Sequence, residues 1–180
     1  MSTHMLRNEV PFGALQLRRL HTEGPDTDDG EAPLDEAEFL AFCSAVSAHA
    51  SLDALKLFDI PMDSLVLMGA LSAAALAINL HDLNLVFCNL SPASMPALAR
   101  LIRGGVLESL EINNDAIPML DEAAGVQLAD ALAASRTLTR LMLFDVGFWG
   151  NAAAAASVMR ALTGHHSLQE LDLSSNDAPD

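Results

Sequence analysis

The side chains that could carry chemistry are few, and their spacing does not suit catalysis. The two cysteines, Cys43 and Cys88, show no metal-ligand spacing and cannot form a disulfide framework. His165 and His166 are adjacent, so in an extended segment they point in opposite directions, which favours ordinary surface histidines over a shared metal ion. Phosphate-binding glycine loops, Gly-x-Ser-x-Gly elbows, Cys-x-x-Cys pairs and His-Glu-x-x-His motifs are all absent from the sequence. We therefore expect a protein that is not an enzyme and that needs no cofactor or metal.

Acidic residues are concentrated in one segment near the N-terminus. Residues 23–38 hold eight carboxylates and no basic side chain. Asp26, Asp28 and Gly30 resemble the start of a calcium loop, but the twelfth position counted from Asp26 carries no glutamate. The simplest interpretation of this segment is a solvated loop. The alternative is an acidic lip that attracts a basic partner.

The overall composition narrows the class of protein further. Of 180 residues, 51% are hydrophobic and 18% are charged, which is ample for a folded core. Only 9 lysines and arginines oppose 24 aspartates and glutamates, and the formal charge of -15 excludes nucleic acids and anionic membranes as partners. The longest apolar stretch, residues 65–80, is interrupted by polar residues and glycine and is too short to span a membrane. Two unpaired thiols among apolar neighbours favour a reducing compartment, so we expect a cytoplasmic location.

A leucine pattern recurs along the chain. The spacing Leu-x-x-Leu-x-Leu begins near residues 12, 52, 80, 107, 138 and 168, at intervals of 28, 27, 31 and 30 residues after a first gap of 40. The copy at Leu107, Leu110 and Ile112 is representative. These intervals indicate five to six structural repeats over residues 12–180, the first lengthened by the acidic insert at 23–38. Residues 1–11 are expected to be a lead-in that starts with a cloning remnant, because a His-Met pair precedes the presumed native start.

Each repeat is expected to fold as a strand, a turn and a helix. The leucines at the fourth and sixth offsets flank a single residue, which is the strand period of two. Segments between the strands have helical periodicity, with Ser91–Pro92 at the start of one helix and Gly104 at its end. The predicted starts of other helices are Asp35, Asp63, Asp121 and Asn151. Parallel strands would then line one side of a solenoid and helices the other.

This strand motif, with a helix in every repeat and a period of 27–31 residues, resembles the leucine-rich repeats of the ribonuclease-inhibitor type. The segment Ser167–Asn176 is close to that family's strand pattern. The resemblance covers about residues 12–176 and implies an α/β leucine-rich repeat solenoid, a horseshoe segment with parallel strands on the concave face and helices on the convex face. Cys88 takes the family's Asn/Cys turn position, which implies a buried structural thiol. Four other repeats depart from that rule, so we expect less regular turns at Leu20, Ile60, Asp115 and Val146.

In such a fold, the residues between the motif leucines form the concave face, where a protein partner would bind. Their order predicts apolar side chains there, together with charge that changes from basic at the N-terminal end to acidic at the other end. The predicted partner-binding residues are Phe58, Val86, Phe87, Met142, Phe144, Arg18, Lys56, Asn113, Arg140 and Asp145. The alternative is that the following turns fold over the apolar side chains and cover them.

The resemblance implies a function only loosely, because the family includes NOD-like receptor sensor domains, the Ran GTPase-activating protein and many bacterial effectors. We expect a non-catalytic protein–protein interaction module that is part of a larger protein and binds through the concave face. One alternative is a GTPase-activating domain, by resemblance to the Ran regulator, but nothing in the sequence singles out a catalytic residue. Arg140 and Asn113 or Asn114 are expected on the concave side, where each is as easily a contact residue. Another alternative is a structural segment that forms homo-oligomers through its uncapped C-terminal repeat. An effector would be delivered to a host cytoplasm.

Overall fold

Strands and helices alternate along the chain. The computed structural model describes residues 6–7, 14–18, 36–104, 106–114 and 118–176. Within these residues, seven strands form one open sheet in sequence order; the first two are antiparallel, and the second to the seventh run parallel. The strands are β1 (Leu6–Arg7), β2 (Ala14–Arg18), β3 (Ala54–Phe58), β4 (Asp82–Val86), β5 (Ser109–Asn113), β6 (Arg140–Phe144) and β7 (Glu170–Asp172). The helices are α1 (Glu36–Ser47), α2 (Leu65–Ala77), α3 (Met95–Arg103), α4 (Glu122–Ala134) and α5 (Ala152–Thr163).

Some of the sequence-based predictions fall outside the described residues. They concern most of the lead-in, Asp35 as a helix start, and residues 23–35 of the acidic insert. The last part of that insert is not a loop, because Glu36 and Glu38 lie in the first turn of α1. Arg18 ends β2 opposite Phe58, and its side chain is outside the description.

The leucine pattern sets the register of the parallel strands. Leu55, Leu83, Leu110, Leu141 and Leu171 align across β3 to β7. The first four of these side chains are at most 1% exposed. Along β3, β5 and β6, buried residues alternate strictly with partly exposed ones. The core therefore lies between the sheet and the helices, and the other side of the sheet carries the intervening residues.

Polar side chains begin three of the helices. Asp121 and Asn151 accept hydrogen bonds from the backbone N–H three residues on, at 2.7 and 3.0 Å, which confirms both predicted starts. Helix α2 begins one residue later than predicted, because Ser64 rather than Asp63 accepts this bond, at 3.1 Å. A short 3-10 turn precedes α3 and another precedes α5. Among the described helices, none has the length and apolar character needed to cross a bilayer.

Helices α4 and α5 approach each other closely at a pair of small residues. A Cβ atom placed on Gly125 would lie 2.4 Å from the Cβ atom of Ala154 and 2.5 Å from its Cα atom. Both residues are buried. Because such distances are far below van der Waals contact, a side chain at position 125 would force the two helices apart.

Four strands are each followed by a turn that contains one residue with a left-handed backbone, with φ between 51° and 58°. These residues are Asp59, Phe87, Asp145 and Ser175. The residue that follows is fully buried in three of the turns, as Ile60, Cys88 and Val146. The expectation of less regular turns at Ile60 and Val146 is therefore wrong. These two turns have the same left-handed residue as the turn at Cys88, and an apolar side chain fills the buried position that follows it. Leu20 and Asp115 lie outside the described residues.

The turn after β5 is built differently. Asn114 follows the strand directly and is fully buried. Its Oδ1 accepts from the Leu90 N–H at 2.6 Å, and its Nδ2 donates to the Leu90 carbonyl oxygen at 2.7 Å. In the last turn, the Asn176 Nδ2 donates to the Leu143 carbonyl oxygen of the preceding repeat at 2.6 Å. Asn114 thus ties two repeats together, one position before Asp115, which occupies the motif's Asn/Cys position.

Replacing Leu110 by alanine tests the register. Leu110 is 0% exposed, so the truncation should lower the free energy of unfolding by about 2–5 kcal/mol in a guanidinium titration. Leu171→Ala is the matched control, since Leu171 occupies the same row but is 42% exposed. We expect Leu171→Ala to lower the free energy of unfolding by less than half as much as Leu110→Ala. If both variants lose the same free energy of unfolding, the row that contains Leu110 is not buried in the core.

Replacing Asn114 by alanine tests the link between repeats. The change removes both partners of the Leu90 backbone inside the core, and an unpaired buried group costs about 1–3 kcal/mol. We expect a loss of about 2–4 kcal/mol in thermal or chemical unfolding. Asn113→Ala, at the partly exposed neighbouring position, should cost markedly less. If the two variants unfold alike, Asn114 does not hold the turn.

Candidate binding surface on the sheet

Strand residues that alternate with the buried leucines form the surface opposite the core. We call this surface the sheet face and include in it the residue before each strand and the left-handed turn residue after it. One row consists of Lys56, Asn84, Glu111, Met142 and Asp172, and the next consists of Phe58, Val86, Asn113 and Phe144. These are the rows that the leucine spacing predicts. Every predicted partner-binding residue whose side chain is described lies in the sheet face.

Aromatic side chains occupy the carboxyl ends of several strands. Phe58 of β3 packs edge-on against Phe87, with ring centroids 5.3 Å apart and an angle of 77° between the rings. Phe144 of β6 lies in the same row as Phe58. All three rings are partly exposed, as is Met142. The sheet face therefore presents apolar surface to solvent at both ends of one row.

Val86 does not belong to this exposed apolar surface, and its prediction as a contact residue is wrong. Its side chain is only 8% exposed. Val86 lies between Phe58 of β3 and Asn113 of β5 in the register. Because both neighbours have longer side chains, they shield the smaller valine, and strand alternation alone could not predict this.

Arg140 is held on the sheet face by two contacts. Its Nε lies 3.3 Å from the Glu170 Oε2 of β7, and its Nη2 lies 3.2 Å from the Met142 Sδ. The pair borders a depression of about 290 Å³ at the amino ends of β4 to β7. Its lining consists of His81, Asp82, Glu108, Ser109, Thr139, Arg140, Gln169 and Glu170. The depression is small, polar and shallow, so it does not resemble a pocket for an apolar ligand.

The three residues weighed for GTPase activation do not all lie on the sheet face. Asn114, expected on the concave side, is fully buried and bonded to Leu90. Asn113 remains on the sheet face and is partly exposed. Arg140 is ion-paired within the sheet.

Both thiols are buried, as the sequence predicts. Burial raises the pKa of Cys43 to about 11 and that of Cys88 to about 12. The Cys88 Sγ also lies 3.4 Å from the Val86 carbonyl oxygen, within its own turn. Since the thiolate is the reactive form, neither cysteine is prepared for nucleophilic chemistry. Among the described residues, no group of three or more His, Cys, Asp or Glu side chains could hold a metal ion.

Comparison with known proteins adds no family to this picture. No protein-family model matches the sequence. No curated protein matches it either. The functional conclusion therefore rests on the residues and geometry of the sheet face.

The sequence analysis missed how unevenly charge is distributed between the two sides of the molecule. The sheet face of the described chain from β3 onward carries eight carboxylates against two basic side chains, Lys56 and Arg140. The acidic residues are Asp53, Asp59, Asp82, Glu108, Glu111, Asp145, Glu170 and Asp172. The five helices carry four acidic and three basic residues. Adding up the charges separately for the strand positions and the helix positions of the predicted repeats, rather than over the whole sequence, could have found this difference.

His165 closes the turn between α5 and β7. Its Nδ1 accepts a hydrogen bond from the Leu168 N–H at 3.1 Å, which requires an unprotonated nitrogen. Burial, with smaller contributions from the charges of Arg136 and His166, lowers the pKa of His165 below its ordinary value of 6.5. As the pH falls below that value, the unfolded chain binds more protons than the folded one, so His165 makes the protein less stable in acid.

Replacing His165 by asparagine should remove this pH dependence. The amide Oδ1 can accept the Leu168 N–H without titrating. Unfolding free energies measured between about pH 5 and pH 8 should fall less steeply with acid in His165→Asn than in the wild type. His166→Asn, at the exposed neighbouring position, should keep most of the wild-type slope, because burial of His165 is a larger cause of its lowered pKa than the charge of His166. A steeper loss in His165→Asn would contradict the assigned hydrogen bond.

Proposed function

We propose that this protein is a leucine-rich repeat solenoid of the ribonuclease-inhibitor type whose sheet face binds another protein without catalysing a reaction. Two observations support the fold family. Leucines align in register through successive strand–helix units, and the turn residues Cys88 and Asn176 each direct a side chain to a strand carbonyl group of the preceding repeat. A surface made of strands is rigid, and its outward residues can vary without disturbing the core.

The observation that carries the proposal is the partly exposed aromatic surface of Phe58, Phe87 and Phe144. Aromatic side chains lose little conformational entropy when they are buried in an interface, and interface energy is concentrated in such residues. The two ends of this row lie on strands β3 and β6, three strand spacings apart, or about 14 Å. That span suits a protein segment better than a small molecule.

The sheet face favours binding over GTPase activation. An arginine that stabilises a phosphoryl-transfer transition state has to reach the nucleotide, whereas Arg140 is paired with Glu170 on the sheet face and would have to leave this ion pair to do so. The buried, protonated thiols of Cys43 and Cys88 fit a reducing compartment, so we place the protein in a cytoplasm.

A double variant, Phe58→Ser with Phe144→Ser, tests the proposal. Both side chains lie on the sheet face, so circular dichroism and the thermal midpoint should change little. Binding to proteins captured from the source lysate, identified and then measured with purified components, should weaken by about 2–4 kcal/mol. The matched control is Leu65→Ser with Val66→Ser on α2, since these side chains are each 55% exposed on the helix side.

The possible outcomes separate clearly. Loss of the captured protein by the sheet variant and retention by the helix variant supports binding through the sheet face. If the folded sheet variant keeps its partner, this surface is not the binding site. If the sheet variant unfolds, the two phenylalanines are core residues and the assignment of the face is wrong.

A further inference from the structure

The sheet face differs from the helical side in charge as well as in shape. On the sheet face of the described chain from β3 onward, eight carboxylates oppose two basic side chains, and one of those two, Arg140, is already paired with Glu170. The helices are nearly balanced, with four acidic and three basic residues. A partner that approaches this protein therefore meets a negative potential concentrated on one side.

The acidic residues flank the aromatic row on both sides. Glu111 of β5 lies in the row next to Phe144 and is partly buried. Asp145 follows Phe144 on the other side, in the left-handed turn with φ 51°. At the far end of the strands, Asp82 and Glu108 line the depression. Apolar and anionic groups thus alternate across the sheet face over a distance that one extended peptide can cover.

We propose that the segment bound by the sheet face is a basic one, an extended peptide or loop rich in arginine or lysine; this inference rests on the proposed function. Its apolar side chains lie on Phe58 and Phe144, and its cationic side chains lie on the carboxylates of Glu111 and Asp145. An acidic segment would be repelled, and a purely apolar one would desolvate these carboxylates without pairing them. Arginine fits best, because its planar guanidinium can stack on a phenylalanine ring and pair with a carboxylate at once.

The strand spacing also limits the sequence of the bound segment. Phe58 and Phe144 are about 14 Å apart across the strands, and an extended peptide rises about 3.4 Å per residue. Its apolar side chains should therefore lie four positions apart, on the same side of the peptide. Basic residues should lie between and beside them, where they reach Glu111 and Asp145.

Two synthetic peptides test the charge requirement on the full chain. The first is a ten-residue peptide with two leucines four positions apart and two arginines, each two positions from a leucine so that all four side chains share one side, labelled for fluorescence anisotropy. The second replaces both arginines by citrulline, which keeps the shape and removes the charge. We expect the arginine peptide to bind at least about tenfold more tightly, with an advantage that shrinks as salt is raised above about 0.1 M.

A charge-matched pair of protein variants locates the effect. Glu111→Gln with Asp145→Asn removes two charges from the sheet face, and asparagine tolerates the left-handed backbone at position 145. Glu122→Gln with Asp130→Asn removes two charges from exposed positions on α4. The sheet variant should bind the arginine peptide at least about fivefold more weakly, and the α4 variant should stay within about twofold of the wild type.

Three results would overturn the inference. They are equal affinity for the arginine and citrulline peptides, equal weakening by the two charge variants, and no binding of the arginine peptide at millimolar concentration. None of them affects the proposed function, which stands if Phe58→Ser with Phe144→Ser loses a captured protein partner. If that variant keeps its partner, the proposed function fails, whatever the peptides do.

Discussion

Burial of one repeat's leucines against the next repeat is the interaction on which the rest of this structure depends. Leu110 and Leu141 are fully buried where a further strand–helix unit follows, whereas Leu171, in the same row of the last described strand, is 42% exposed. A single strand or helix here cannot bury its own apolar side, so the units are stable only as a stack. The same register that buries the leucines places the aromatic and acidic residues outside, because a shift by one residue would exchange the two sets.

The spacing of the leucines made the strands and their rows predictable from the sequence. Each pattern fixes two inward positions per strand, and only one register then places all of them in the core. The turns were less predictable, because Asn113, Asn114 and Asp115 are three successive residues that can all form side-chain hydrogen bonds with the backbone. The motif's Asn/Cys position falls on Asp115 and therefore predicted an incomplete ladder, whereas the fully buried Asn114 one position earlier bonds to Leu90. The exposure of Val86 depended on the size of its cross-strand neighbours, which no single repeat reveals.

The two sides of the molecule carry different kinds of side chain. Apolar packing, the capped helix starts and the two protonated thiols belong to the core and the helices. The partly exposed aromatic rings and the excess of carboxylates belong to the sheet face. Because strand backbones hold the outward side chains in place, little ordering entropy is lost when a ligand binds to them. Substitutions on this surface can therefore change the choice of ligand at small cost to folding.

The contact between Gly125 and Ala154 has a consequence for how sharply the stack bends. Each unit is a wedge, since hydrogen bonds fix the strands about 4.8 Å apart while packed helices stand about 8–10 Å apart. The angle of the wedge depends on how near the helices come. Where Gly125 lets α5 approach α4 closely, the wedge narrows and the radius of the arc grows. The missing methyl group at Gly125, on the helix side of the stack, thus limits how far neighbouring rows of the sheet face converge, and with them the contour of that surface.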